Sequence, residues 1–209
     1  MELIRGISGI RGIVGKTLTE EVVIKHIHAF SKIQATGDIL LARDSRTHGA
    51  SLIIAAAKTL SGCGRNVINY DIIPTPTAQF LIEQNKMAGG IVITASHNPT
   101  EWNGMKFIDT DGCFLDGEKN KNLFDIADSN PAENQTTGSI QIIENGYLPH
   151  ITHTRGLSII DTETIEKRNF TIVVDAVNGA ASRALPTMVE SLGCQVHRLY
   201  CNPDGKFPR

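Results

Sequence analysis

Four residues able to do chemistry stand close together at Ser96, His97, Asn98 and Lys106. The run Ile93-Thr94-Ala95-Ser96-His97-Asn98-Pro99 carries an apolar stretch into a serine and closes it with a proline, and Asn103-Gly104-Met105-Lys106 follows. A serine hydroxyl is a weak nucleophile at neutral pH, and it needs a base, or positive charge around whatever becomes attached to it. His97, Lys106 and nearby main-chain N–H groups could supply both. Read alone, Ser-x-Asn-Pro is also an ordinary turn, with Ser or Asn bonding its own backbone and His97 satisfying a loop carbonyl.

A second segment is Ser8-Gly9-Ile10-Arg11-Gly12, in which backbone N–H groups and a guanidinium could converge on a phosphate. Its plainer reading is a glycine-rich turn with a surface arginine. The third is Arg43-Asp44-Ser45-Arg46, which reads in isolation as a charged loop with an internal Arg–Asp pair. Gly9 to Thr17 approaches a Walker A nucleotide loop, with Gly15-Lys16-Thr17 at its end, but the required glycine position holds Ile10. Little chain precedes it to form the buried strand such a loop needs.

These segments must be positioned by the elements between them. Asp38 to Ala42, Asn66 to Tyr70, Gly90 to Thr94 and Met105 to Ile108 read as strands. Glu20 to Ile33, with Thr19 as N-cap, and Ala50 to Leu60, closed by Gly62 and Gly64, read as helices. Pro74-Thr75-Pro76-Thr77 breaks the chain and opens a helix through Gln84. Strand and helix alternating in this way argue for an α/β domain with helices over a mainly parallel sheet. Ser96 then sits at the C-terminal end of a strand, the edge where open α/β sheets bind ligands.

Asp128 to Gln141 reads as a surface loop, and Asp109-x-Asp111-Gly112 as a β-turn. The domain boundary is expected near Arg155 to Asp161. A new unit follows, with strands at Thr171 to Asp175 and Gln195 to Leu199, a helix over Ala180 to Leu192, and a turn-rich tail from Asn202. Two strands make it unlike a complete domain. His150-x-x-His153 is expected in a solvated loop because Pro149 precedes it, rather than in a metal site.

The 209 residues have a formal net charge of -2, which gives no broad electrostatic footprint for nucleic acid. The longest apolar run, Leu52 to Ala57, is too short to span a membrane. Met1 to Arg5 lacks the apolar core of a signal peptide. Four scattered cysteines, with no C-x-x-C pair, fit a reducing compartment, so a cytoplasmic location is expected. The two Asn-x-Thr sequons, at Asn134 and Asn169, then have no role.

Taken together, the segments resemble the α-D-phosphohexomutase superfamily. Thr94-Ala95-Ser96-His97-Asn98-Pro99 with Asn103-Gly104-x-Lys106 is similar to its phosphoserine loop, and Gly9-Ile10-Arg11-Gly12 to its N-terminal loop. Asp44-Ser45-Arg46 and Pro74-Thr75-Pro76 match further motifs, as do Asp175-x-x-Asn178-Gly179-Ala180 and Pro203-Asp204-Gly205-x-Phe207-Pro208. The matches lie in the family's order and cover nearly the whole chain.

The resemblance implies a three-layer α/β/α domain with a mainly parallel mixed sheet over residues 1–157. The start of a second similar α/β domain would occupy 158–209, with domains III and IV absent from this chain. It implies an intramolecular phosphotransferase that interconverts hexose 1- and 6-phosphates through phosphoserine and a bound bisphosphate. Ser96 would carry the phosphoryl group, Lys106 would act as general acid/base with His97 assisting, and Arg11 would stabilise phosphoryl charge. Ser8, Arg11, Asn98, Asn103 and Lys106 would hold phosphate.

Magnesium would bind a phosphate oxygen on Ser96, its other ligands coming from a D-G-D-x-D-R loop expected in domain III. Hexose 1,6-bisphosphate would serve as activator and intermediate. The expected partners are a phosphorylated hexose and the protein's own domains III and IV, with no nucleic acid or membrane. No D-G-D-x-D-R run occurs here, so the chain is expected to be inactive alone, a proteolytic or designed piece ending at Arg209. The competing expectation is a non-catalytic module that binds sugar phosphates and leaves Ser96 unmodified.

Overall fold

A computed structural model describes residues 2–129 and 137–208. Residues 130–136, with the Asn134 sequon, lie outside the described residues, as do Met1 and Arg209.

The chain opens with strands β1 (Ile4–Gly6) and β2 (Gly9–Ile13) and helix α1 (Glu20–Ile33). The Thr19 hydroxyl caps α1 by accepting the Val22 N–H at 3.3 Å, and Glu20 and Glu21 suit the positive end of the helix dipole. Val23, Ile27 and Phe30, spaced at i, i+4 and i+7, are fully buried along one face. Strand β3 (Ile39–Arg43), helix α2 (Gly49–Gly62), strand β4 (Val67–Ile72), helix α3 (Thr75–Gln84) and strand β5 (Gly89–Ile93) follow. Next come β6 (Trp102–Ile108), α4 (Gly117–Asp128), β7 (Ile140–Ile142), α5 (Leu148–Arg155) and α6 (Thr162–Arg168). Strand β8 (Thr171–Asp175), helix α7 (Ala184–Ser191) and strand β9 (Gln195–Leu199) complete the described elements.

Seven strands form one sheet in the order β1-β2-β6-β5-β3-β4-β7. Strands β5, β3, β4 and β7 are parallel neighbours, while β6 runs against β5 and β2 against β6. Five of the seven strands (β2, β3, β4, β5 and β7) therefore point the same way, which makes the sheet mixed but mainly parallel.

Alternate residues of the central strands enter two separate cores. Ile39 and Leu41 of β3 pack with α1, α2 and α4, whereas Leu40 and Ala42 pack with α3 and α5. Burial on both faces explains why β3 reads as an uninterrupted apolar run. The result is the expected three-layer α/β/α arrangement. Among the described residues, no helix is long and apolar enough to cross a membrane.

The second unit holds a separate two-stranded parallel sheet, β8 with β9, in register from Thr171↔Gln195 to Asp175↔Leu199. Ala184 of α7 joins the core that α3 and α5 share.

Three local expectations are corrected. The stretch read as loop to Gln141 ends in β7, which pairs in parallel with β4. At three residues, Ile140-Gln141-Ile142, it is too short for its alternation to stand out, and all three side chains are exposed. His150 and His153 lie in α5, because Pro149 occupies the first turn, where a missing N–H costs nothing. Phe80 stacks on His150 at 4.7 Å between ring centroids. The helix expected from Ala180 starts at Ala184, after a turn over 180–183. The turn at Asp109–Gly112 is present, closed by Gly112 N–H donating to Asp109 O at 3.1 Å.

Candidate active site

Strands β3 and β5 are parallel neighbours in register at Arg43↔Ile93, so the segments that leave them start side by side. Asp44 N–H donates to Ile93 O at 2.9 Å and keeps the pair together one residue further. The Thr94 hydroxyl then donates to Asp44 Oδ2 at 2.7 Å and accepts the Ser96 N–H at 3.1 Å. Ser96 has φ 54° and an exposed side chain. The left-handed region costs a non-glycine residue about 1 kcal/mol or more, so this conformation persists only because neighbours hold it.

Arg46 does much of that holding. Its buried guanidinium donates to the carbonyls of Ser96, Asn98, Pro99 and Trp102 at 3.0, 2.6, 2.7 and 3.1 Å. Its Nε donates to Asp44 Oδ2 at 3.2 Å. The Asp–Arg pair expected from the sequence is present, but its main engagement is with the serine loop. The bare D-x-R spacing could not announce four carbonyl acceptors fifty residues away. Arg43 pairs instead with Asp71, at 2.5 Å.

From the other side, β2 and β6 bring cations to the same region. Arg11 lies opposite Gly104, where a Cβ would fall 2.2 Å from Ile10 O and 3.1 Å from Arg11 Cγ. Only glycine lets these backbones and the arginine stem approach so closely. Arg11 donates to Ser8 Oγ at 3.2 Å and reaches Asn98 Oδ1 at 3.5 Å. His97 Nδ1 lies 3.4 Å from Ser96 Oγ. Lys106 Nζ lies 5.1 Å from the centre of the Phe114 ring. Partial burial pushes the Lys106 ammonium below its ordinary pKa, and the positive charge of Arg11 adds to the shift.

Ser8, Arg11, Ser96, His97 and Asn98 thus meet around one loop, and Lys106 shares the electrostatic field of Arg11. Asn103 sits differently. It is fully buried, and its Oδ1 accepts the Gly104 N–H at 2.9 Å. Gly15-Lys16-Thr17 forms a turn between β2 and α1 rather than the first turn of a helix, unlike a Walker A loop. Two concavities of about 450 and 500 Å³ lie elsewhere, one lined by His28, Cys63 and Arg65, the other by Tyr70, Asp71 and Arg183.

The arrangement suits an anionic group on Ser96, because the side chains that face it are cationic or neutral donors. A magnesium ion fits these residues poorly. Asp44, the carboxylate bonded to this loop, already accepts from Arg46 and Thr94 and is only 14% exposed. Among the described residues no group of three His, Cys, Asp or Glu side chains could hold a metal.

Comparison with known proteins adds a separate line of support. Residues 2–134 match the family model of phosphoglucomutase/phosphomannomutase alpha/beta/alpha domain I, and residues 145–209 match that of domain II. A phosphoglucomutase/phosphomannomutase of Thermococcus kodakarensis is 35% identical over 97% of this chain and 46% of its own length. A phosphoglucosamine/phosphogalactosamine mutase of Sulfurisphaera tokodaii is 32% identical over 97% of this chain and 45% of its own. The crystal structure of a phosphoglucomutase/phosphomannomutase family protein from Burkholderia thailandensis superposes with a TM-score of 0.80 at 27% identity. It covers 97% of this chain and 44% of that one. The chain spans less than half the length of these relatives.

Proposed function

The chain belongs to the phosphoglucomutase/phosphomannomutase family, and from that premise we propose that it carries the phosphoryl group of a phosphohexomutase on Ser96. The observation that carries the reading is the convergence of Arg11 and Asn98 on a loop that presents Ser96 outward at a left-handed φ of 54°. Residues 1–157 would form the phosphoserine domain and 158–209 the start of the next, within a longer, cytoplasmic enzyme.

In the resting enzyme Ser96 Oγ is bonded to phosphorus. The free hydroxyl of a hexose phosphate attacks that phosphorus, the bond to Oγ breaks, and a hexose bisphosphate forms. Lys106, whose pKa burial and then Arg11 hold below its ordinary value, accepts the proton from the attacking hydroxyl. Ser96 Oγ takes a proton from the His97 ring as it leaves, the ring Nδ1 lying 3.4 Å away. Transfer of the other phosphate back to Ser96 reverses these roles. Arg11 donates to the phosphoryl oxygens, so the protein contributes mainly position and positive charge. Ser8 and Asn98 fix the Arg11 fork.

Magnesium, when bound in the longer protein, would neutralise phosphate charge. The substrate class is a phosphorylated hexose, with hexose 1,6-bisphosphate as activator. The chain contains no D-G-D-x-D-R run, and by itself it would not sustain turnover. A steady-state mutase assay on the 209 residues giving ordinary rates would overturn that point.

The central claim is tested by intact mass and peptide mapping before and after incubation with a hexose 1,6-bisphosphate. One phosphoryl group on Ser96, absent from S96A, is expected. No phosphate on Ser96, in the chain or within any longer protein that contains it, would replace this reading with that of a non-catalytic sugar-phosphate-binding module.

A further inference from the structure

A guanidinium has five N–H donors, and Arg46 spends all five. One goes to Asp44 and four to the carbonyls of Ser96, Asn98, Pro99 and Trp102. Asp44 in turn accepts from Thr94, and Thr94 accepts the Ser96 N–H. The Ser96 C=O is therefore held directly by Arg46, and its N–H through Thr94 to Asp44. Arg46 does not touch the Ser96 hydroxyl, so any part it takes is in positioning.

The flat face of Arg46 is covered from the second unit. The Phe207 ring lies 5.2 Å from the guanidinium carbon. Two residues earlier, Gly205 has φ +75°, and a Cβ there would come within 2.5 Å of Ser45 O and 2.9 Å of Thr47 N. The tail backbone thus packs against the backbone on either side of Arg46, and its aromatic ring shields the guanidinium. A ring in that place excludes water that would compete for the four carbonyls, and it adds cation–π attraction.

We propose that Arg46 is the positioning residue for Ser96, and that Phe207 couples the seating of the second unit to the geometry of the serine loop. When the tail is docked, the loop is held with Ser96 presented. When the tail leaves, water reaches the guanidinium and the loop loosens. The functional meaning rests on the reading that Ser96 carries the phosphoryl group, but the coupling itself does not.

Hydrogen exchange of a peptide covering residues 94–104 tests this, with a peptide covering 38–43 as the core control. Leu in place of Phe207 keeps the apolar bulk and removes the aromatic face, and Tyr keeps both. F207L is expected to speed exchange of the 94–104 amides by about fivefold, in line with a partly desolvated cation–π contact, and F207Y to stay near wild type. R46K, which loses the fork, is expected to exceed F207L, and the R46K/F207L pair to exchange no faster than R46K alone. Loop exchange unchanged in F207L, or effects that multiply in the double variant, would overturn the coupling. Should R46K also expose the 38–43 peptide, it has unfolded, and the F207L and F207Y pair decides alone. Phosphate on Ser96, mapped in the same variants, reports separately on the mutase reading. A loop that responds to F207L with Ser96 never phosphorylated would uphold the coupling and reject that reading.

Discussion

The hydroxyl of Thr94 donates to the carboxylate of Asp44 at 2.7 Å, and the same oxygen accepts the main-chain N–H of Ser96. One buried side chain thereby joins the end of β3 to the residue that turns outward after β5. The bond joins two segments that leave parallel neighbouring strands.

Thr94→Val keeps the shape and removes the hydroxyl. It leaves Asp44 short of a donor and the Ser96 N–H without its acceptor, so a loss of about 1–3 kcal/mol in urea unfolding is expected. Thr94→Ser retains the hydroxyl and is expected to cost less than about 1.5 kcal/mol, the price of one buried methyl. Equal losses in the two variants would show that the hydroxyl has no such role.

Lys106 and Arg11 are coupled through charge. Burial lowers the Lys106 pKa first, and Arg11 lowers it further by disfavouring a second cation nearby. Removing Arg11 therefore raises it. Only the neutral amine is acylated, so the labelling curve of Lys106 against pH is expected to move to higher pH in Arg11→Met. Peptide mass spectrometry would read the shift, and an unmoved curve would refute the coupling.

His26 makes stability depend on pH. It is fully buried in α1, its Nδ1 lies 2.6 Å from Val22 O, and its Nε2 has no hydrogen-bond partner among the described residues. Burial lowers its pKa from 6.5 to about 4, with Arg5 and Lys25 adding repulsion. The unfolded chain binds the proton first as pH falls. Stability that is present above pH 6.5 is therefore lost progressively down to about pH 4. The gap corresponds to about 3 kcal/mol. Between pH 7 and pH 4, wild type is expected to lose that much more than His26→Phe in urea titrations, and parallel losses would contradict the assignment.

Gly104 and Gly62 are expected to respond oppositely to alanine. At Gly104 the new Cβ would fall 2.2 Å from Ile10 O and 3.0 Å from Thr94 O, both backbone atoms. Thermal or urea unfolding should show a loss of about 2 kcal/mol or more, since neither strand can yield without breaking the β2–β6 ladder. At Gly62, the last residue of α2, nothing lies within 4 Å of the added atom. Helix propensity then predicts no loss and a gain of up to about 1 kcal/mol.

The central elements were legible because burial leaves a compositional trace. Ile39 to Ala42 is apolar on both faces, and α1 carries its apolar stripe between acidic and basic ends. The Ser96 loop was legible by motif and by its place after a strand. Strand β7 was hidden, because three residues carry too little alternation to be read and its pairing with β4 is what defines it. Strand β2 was hidden too, since Gly9 and Gly12 read as a turn while the structure places both in a strand paired with β1 and β6. The contacts of Arg46 with the serine loop and with Phe207 join residues far apart in sequence, and no local spacing encodes them.

The position of β2 in the sheet has a consequence for synthesis. Its ladder partner is β6, and Ile10 meets Met105 about ninety-five residues downstream. On a ribosome the first strands therefore emerge long before the strand that receives them, and such non-local pairing is slow. Arg11 cannot take its place opposite Gly104 until β6 has been made and laid against β5. Arg11 is thus synthesised early but reaches Asn98 only once β6 is in place, so the contact between the two segments belongs to a non-local step of assembly.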